Sequence, residues 1–411
     1  MKGIRTCFTL LVTLMLLFAS AAQAQGLDSA LSGWLEGETG TRFSARMALS
    51  ACLPYGEETL ALLNGVLSHA LIETDVRGAG TDSSLALKLS LGENELMTLL
   101  EREQEGRYET SLSLLEGQLL TSEKASPMLL LAGESEGENT PPFSLLTALE
   151  ASDAALDALI QKAQPMMETK SANYNIKSIG KATVSSIVRL TDEQGQELAP
   201  EMRAALACGL DADTRALLNT ITFEKQFVLA LYQNKDGDNM ALYMKGKVRD
   251  AQDNAYTLSY QWAMLRESGS GTDTYKLELV KSGKPAASRV ISAKRSHTTR
   301  ADRFSLDASA TVTYKLDGAT NAYDTEIKLE GEGAQGARTL AGTVSLEHKA
   351  SQGDDDVKTV LTLTPDLRQT GEGLEGTARF EKTLDKKTQL DLTVTLSPDV
   401  DASLTQDDLF T

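Results

Sequence analysis

The sequence predicts an α+β chain dominated by long antiparallel β-meanders, with a few packed helices and an internal duplication of a strand–helix–meander unit. Three observations carry this. From Arg303 onward, apolar and polar residues alternate with period two, and no helical periodicity interrupts them. Upstream, leucine stripes at helical spacing break the alternation in a few places. One pattern also occurs twice: Glu58-Thr59-Leu60-Ala61-Leu62-Leu63-Asn64 and Asp213-Thr214-Arg215-Ala216-Leu217-Leu218-Asn219.

The elements follow in order. Residues 1–24 read as a secretory leader: Lys2 and Arg5, an apolar run over 7–18, and Ala22-Gln23-Ala24 as the cleavage site. Cys7 lies ahead of that site, so it is not a lipid-bearing cysteine, and the mature chain is expected to start near Gln25. Residues 25–140 form the first unit. A strand over 40–51 turns Phe43, Ala45, Met47 and Leu49 to one face. A helix over 56–67 has Leu60, Leu63 and Leu67 on one side, and strands follow near 68–77, 84–91, 94–103, 107–114 and 117–122.

Residues 141–300 form a helix plus the second unit. The acidic, Gly-rich stretch 133–142 reads as a linker ending in Pro141-Pro142. A helix over 143–163 carries Leu145, Leu149, Leu156 and Ile160 as a stripe, and Pro165 ends it. From Gly180 the order of the first unit returns: a strand to Thr191, an inserted helix near 197–207, Cys208, the second Ala-Leu-Leu-Asn helix, then strands near 222–233, 240–249, 255–266 and 274–281. Arg215 in place of Leu60 predicts exposure of that helix side in the second unit. Residues 301–411 are all strand, continuous with the preceding sheet or a domain of their own. The alternation recurs at 338–348, 357–364, 373–382 and 387–396, separated by turn signals.

Composition excludes several functions. The formal charge is −18, and loss of Lys2 and Arg5 with the leader makes the mature chain more acidic still. Nucleic acid and anionic membrane surfaces require a basic footprint, so neither is an expected partner. No stretch after the leader is apolar enough to span a bilayer as a helix. Long alternating strands also suit an outer-membrane barrel, but aromatics at 5% cannot furnish its girdles, so a soluble sheet is favoured.

Chemistry-bearing motifs are few. His69, His297 and His348 have no partner at metal-ligand spacing and read as solvent-facing or strand-end residues. Phosphate loops and nucleophile elbows are not found, and no cofactor is expected. Asp236, Asp238 and Asn239 surround Gly237 with oxygens that suit Ca²⁺, but the bidentate Glu of a calcium loop is missing, and Asp-Gly between two strands favours a hairpin turn. Asp354, Asp355 and Asp356 are weighed the same way. Lys281, Lys284, Arg289, Lys294, Arg295, Arg300 and Arg303 form a basic run that suits an acidic partner, although strand alternation would split it between two faces. Cys52 and Cys208 each precede the shared helix. They are a disulfide pair if the units pack about a pseudo-twofold axis, or two equivalent buried thiols if not.

A large sheet with a helix lying across one face resembles, in element order, the half-barrel lipoprotein carriers of bacterial envelopes. The β-rich build and the lack of a catalytic constellation point first to an exported, non-catalytic binding or interaction protein of the bacterial envelope or extracellular space. The resemblance implies the alternative, a carrier of a hydrophobic, lipid-like ligand. A carboxylate-based hydrolase is the second alternative, permitted by the excess of acids.

Overall fold

The computed structural model describes residues 41–77, 82–104, 107–113, 119–122, 153–207, 212–334, 337–352 and 355–400. The leader, the linker with residues 143–152, Cys208 and Asp354 lie outside the described residues. Twenty strands, all paired antiparallel, form one sheet, and four α-helices accompany it among the described residues.

The chain enters at β1 (Thr41–Cys52), continues through α1 (Glu57–Leu67), and meanders outward through β2 (Ala70–Arg77), β3 (Asp82–Leu91), β4 (Asn94–Gln104), β5 (Arg107–Leu112) and β6 (Leu119–Ser122). It resumes at α2 (Asp153–Ala163) and a hairpin of β7 (Glu168–Ile176) and β8 (Gly180–Arg189). Helices α3 (Asp192–Ala207) and α4 (Ala212–Thr220) follow, then β9 (Thr222–Phe223) and β10 (Val228–Gln233). A long meander follows: β11 (Asn239–Arg249), β12 (Ala255–Glu267), β13 (Ser270–Lys281), β14 (Ala287–Thr299), β15 (Arg303–Leu316), β16 (Ala319–Glu332), β17 (Thr339–Gln352), β18 (Asp355–Gln369), β19 (Leu374–Leu384) and β20 (Lys387–Ser397).

The pairings give the spatial order. From β8 the sheet runs through β10 and onward strand by strand to β20. There it does not end: β20 pairs with β1, and β2 to β6 extend it on the far side. Strand β9 pairs with the end of β11. The first described strand is thus zipped to the last, and each meander supplies the other's missing neighbour.

Period-two alternation makes one face mostly apolar. Following the register across strands, Arg295, Ala308, Ile327, Val344, Leu363, Phe380, Leu392 and Leu49 lie on one row. Helices α1 and α4 both attach to this face. The Asn64 side chain of α1 donates to the Leu49 carbonyl (2.8 Å) and accepts from its amide (2.8 Å). On α4, the Thr214 hydroxyl takes the Arg289 guanidinium. Two cores result. In one, Leu156, Leu159, Leu198, Met202 and Leu218 of α2–α4 pack among residues of β8–β17, including Trp262, Leu277 and Phe304. In the other, Leu60, Leu63 and Leu67 of α1 pack on β1–β4 and β20, and Leu367 touches both cores. Helix α3 starts at a capping box: the Gln194 amide donates to the Thr191 hydroxyl (3.3 Å), and the Thr191 amide donates to the Gln194 side chain (3.0 Å).

The opposite face carries a small apolar cluster of Tyr174, Tyr232, Tyr243, Ala241 and Ala263 across β7–β12 and is wet toward β20. Across β16–β20 it carries ion pairs: Lys328–Glu326, Lys349–Glu347, Lys358–Glu347, and Arg379 with Asp391 through two 2.8 Å bonds. A lipid-facing wall would be apolar here.

Candidate functional site

A groove lies on this wet face, where the two meanders join. It has a volume of about 600 Å³ and crosses β20, β1, β2 and β3 to the start of β4. The alternation that sends Phe43, Ala45 and Met47 into the core sends Ser44 and Arg46 into the groove. In the same way Ile72 and Leu89 turn inward while Glu73, Lys88 and Ser90 turn outward. Ser397 and Asp399 close one side, and Glu93 of the β3–β4 turn with Glu95 at the start of β4 closes another.

Glu73 and Lys88 are register partners on β2 and β3, and their side chains meet at 3.7 Å. Glu73 is only 5% exposed, so this pair forms the floor. Ser44 Oγ donates to the Ser397 carbonyl at 3.5 Å, across the seam between first and last strands. Arg46 donates to the Ser68 carbonyl at 3.2 Å, and Glu95 accepts from the Thr98 hydroxyl at 2.6 Å. The rim is acidic, through Glu93, Glu95 and Asp399. The groove therefore offers carboxylates and hydroxyls to a polar ligand rich in hydrogen-bond donors. Its volume is that of a small-molecule or short-peptide site, but it lacks the apolar lining a lipid needs.

The residues singled out in the sequence are dispersed. Around Asp236, Asp238 and Asn239 the organiser is Asn234. Its Oδ1 accepts from the amides of Asp236 and Asp238 (2.9 Å each), its Nδ2 donates to the Asp238 carboxylate (2.8 Å), and Gly237 takes a φ of +90°. Asn239 accepts from Gln233 at 3.1 Å. The loop is built as a hairpin turn. Asp356, in the other acidic turn, is exposed.

The basic run is likewise not gathered. Arg289 and Arg295 point to the helix-covered face, where Arg295 pairs with Asp273 at 3.4 Å, while Lys294 points the other way. Lys281 and Lys284 sit at one end of β14, and Arg300 and Arg303 at the other, roughly 40 Å apart along a strand of this length. Cys52 is half-buried and burial raises its thiol pKa. Cys208 is outside the described residues, and the pairing with it. His69 is exposed, but His348 is not a strand-end residue. It lies within β17, stacks on Tyr323 (4.4 Å, 8°), and bonds Asn321 through Nε2 (2.6 Å).

The groove residues were missed in the sequence because carboxylates are everywhere in so acidic a chain. The available signal was the Glu73–Lys88 opposition across the β2–β3 hairpin, which needs the hairpin register to be read.

Fold and site together define a β-rich chain whose single sheet is covered by helices on one face and carries a polar groove on the other. No family model and no curated protein matches it. Among solved structures it is similar to OmpTdeltaL8, a loop L8 deletion mutant of OmpT, an outer membrane protein of Vibrio cholerae. Identity is 7%, over 87% of this chain and 96% of that one, with a TM-score of 0.26, too low to mark a shared fold.

Proposed function

We propose that this chain is an exported, non-catalytic binding protein of the bacterial envelope or extracellular space, and that it takes a polar ligand in the groove at the β20–β1 seam. The leader residues 1–24 support export, and the acidic surface supports a life in water. The observation that carries the reading is the packing of α2–α4 onto their part of the sheet. Leu156, Leu159, Leu198, Met202 and Leu218 are all fully buried against the sheet. A lipid carrier needs that face left unfilled, so the open groove outside is the better ligand site.

Internal duplication belongs to the same reading. Strands β1 and β2 are adjacent, antiparallel and joined by α1; β8 and β10 are adjacent, antiparallel and joined by α3 and α4. Each helix-bearing connection carries one copy of Thr-x-Ala-Leu-Leu-Asn.

Native mass spectrometry of the mature protein from its own secretion tests the proposal. The expected result is a small polar adduct that is lost in Glu73→Gln and in Glu95→Gln. A retained lipid-sized mass, indifferent to those substitutions, overturns the groove reading in favour of a carrier.

A further inference from the structure

The two copies of the shared helix are not equally covered. In α4, Leu218 is fully buried and Leu217 is half-buried against the same core, and Ile221, just past the helix end, is fully buried. Helix α3 supplies much of that cover: Met202, Ala205 and Leu206 lie in the same core, and Arg203 donates to the Ile221 carbonyl at 2.6 and 3.1 Å. The corresponding positions in α1 are Leu62, Leu63 and Val66. Leu62 is 74% exposed and Val66 56%. They stand four apart, so they form one stripe on the helix.

The cause is in the chain. Four residues, 53–56, join β1 to α1, where the second unit has the whole of α3 between β8 and α4. Among the described residues the first unit has no counterpart of the covering helix. Single exposed apolar residues are ordinary on a surface. A leucine and a valine on one helix side, at positions whose copies are covered by a helix, are a more specific arrangement.

Charge selects the occupant. The first turn of α1 carries Glu57 and Glu58, and its last turn carries no basic residue. The chain as a whole is at −18, so a second copy would approach against repulsion. We infer that the Leu62–Val66 side of α1 docks a basic amphipathic helix of a partner protein, which does for α1 what α3 does for α4. This rests on the duplicated-unit reading and is separate from the groove.

The test uses the full mature chain and two labelled peptides with the sequence of residues 192–207. One has Asp192, Glu193, Glu197 and Glu201 replaced by Lys. The other has the same composition with its apolar positions scrambled. Fluorescence anisotropy is expected to show saturable binding of the first peptide only, weakened roughly tenfold or more by Leu62→Asp, since one buried leucine is worth that much. Leu62 is exposed, so the variant keeps the fold, and circular dichroism verifies this. Glu73→Gln is expected to leave peptide binding unchanged, which separates this proposal from the groove reading. Equal binding of the scrambled peptide, or indifference to Leu62→Asp, overturns it. So does a dimer in sedimentation that Leu62→Asp dissociates, which would assign the stripe to a second copy.

Discussion

At the scale of single residues, the side chain that ties helix to sheet in the first unit is Asn64. Its amide satisfies both backbone groups of Leu49, next to the irregularity at Leu49/Ala51 where β1 bulges against β20. Asn64→Ala leaves a part-buried donor and acceptor unmet and is expected to cost about 1–3 kcal/mol, read from the urea midpoint. Asn219, its copy in α4, is exposed, so Asn219→Ala should shift the midpoint little. Acid stability has an equally local source. The Arg379 guanidinium, by hydrogen bonds and charge, holds the Asp391 carboxyl below the usual range, outweighing burial. Lys349 and Lys358 do the same for Glu347, against a burial effect that raises it. Folded pKa values lowered in this way mean stability that is present above the unfolded carboxylate range, near pH 4, and lost as pH falls through the folded values. Asp391→Asn should therefore flatten the acid limb of the stability curve and leave its neutral-pH shape alone. An unchanged acid limb would refute the assignment.

At the scale of elements, tolerance to substitution follows what each glycine meets. In β17, Gly342 has a φ of +144°, and an added Cβ would lie 2.0 Å from the Lys328 carbonyl oxygen of β16. Gly342→Ala should cost about 3 kcal/mol or more through strain and overlap. Gly318, in the β15–β16 turn, has a φ of +89° with open space around it, and Gly318→Ala should cost about 1 kcal/mol. Thermal melts of the two variants check the contrast, and equal losses would refute it. The same local physics decides what was legible in the sequence. The strands from Arg303 onward were readable because each turns its larger apolar residues to one face, buried in β15 and β20 and half-buried in β17 and β18, which writes a period of two into the residues. Helix α1 was readable through Leu60, Leu63 and Leu67. Strand β7, Glu-Thr-Lys-Ser-Ala-Asn-Tyr-Asn-Ile, was not: it pairs only with β8 among the described residues and is exposed almost throughout, so burial imposes no pattern on it. The groove was unreadable for a different reason. It is made from outward positions of strands at opposite ends of the chain, and Ser44 and Ser397 meet across 353 residues.

At the scale of the whole molecule, the β1–β20 pairing decides whether there is one sheet or two. Without it, β1–β6 with α1 would be a separate meander, and the second core would lose the Leu390, Leu392, Val394 and Leu396 side of its wall. The register sets Ala48 opposite Thr393 on the wet face, just before the bulge. Opposed residues on antiparallel strands have Cα atoms about 4.5–5.5 Å apart, within reach of a disulfide. In a background lacking Cys52 and Cys208, Ala48→Cys with Thr393→Cys should oxidise to a cross-link, visible as faster migration on a non-reducing gel. Neither single variant should show it. The bond closes nearly the whole chain into a loop, so it should stabilise by up to about 5 kcal/mol in the chain-entropy model. How the melt responds then reports on the two cores. Leu367 packs into both, and the strands between them are continuous, so unfolding is expected as one transition whose midpoint rises on oxidation. Two transitions, only the first moved by the cross-link, would mean the seam joins cores that unfold independently. A pair that stays reduced would refute the register itself.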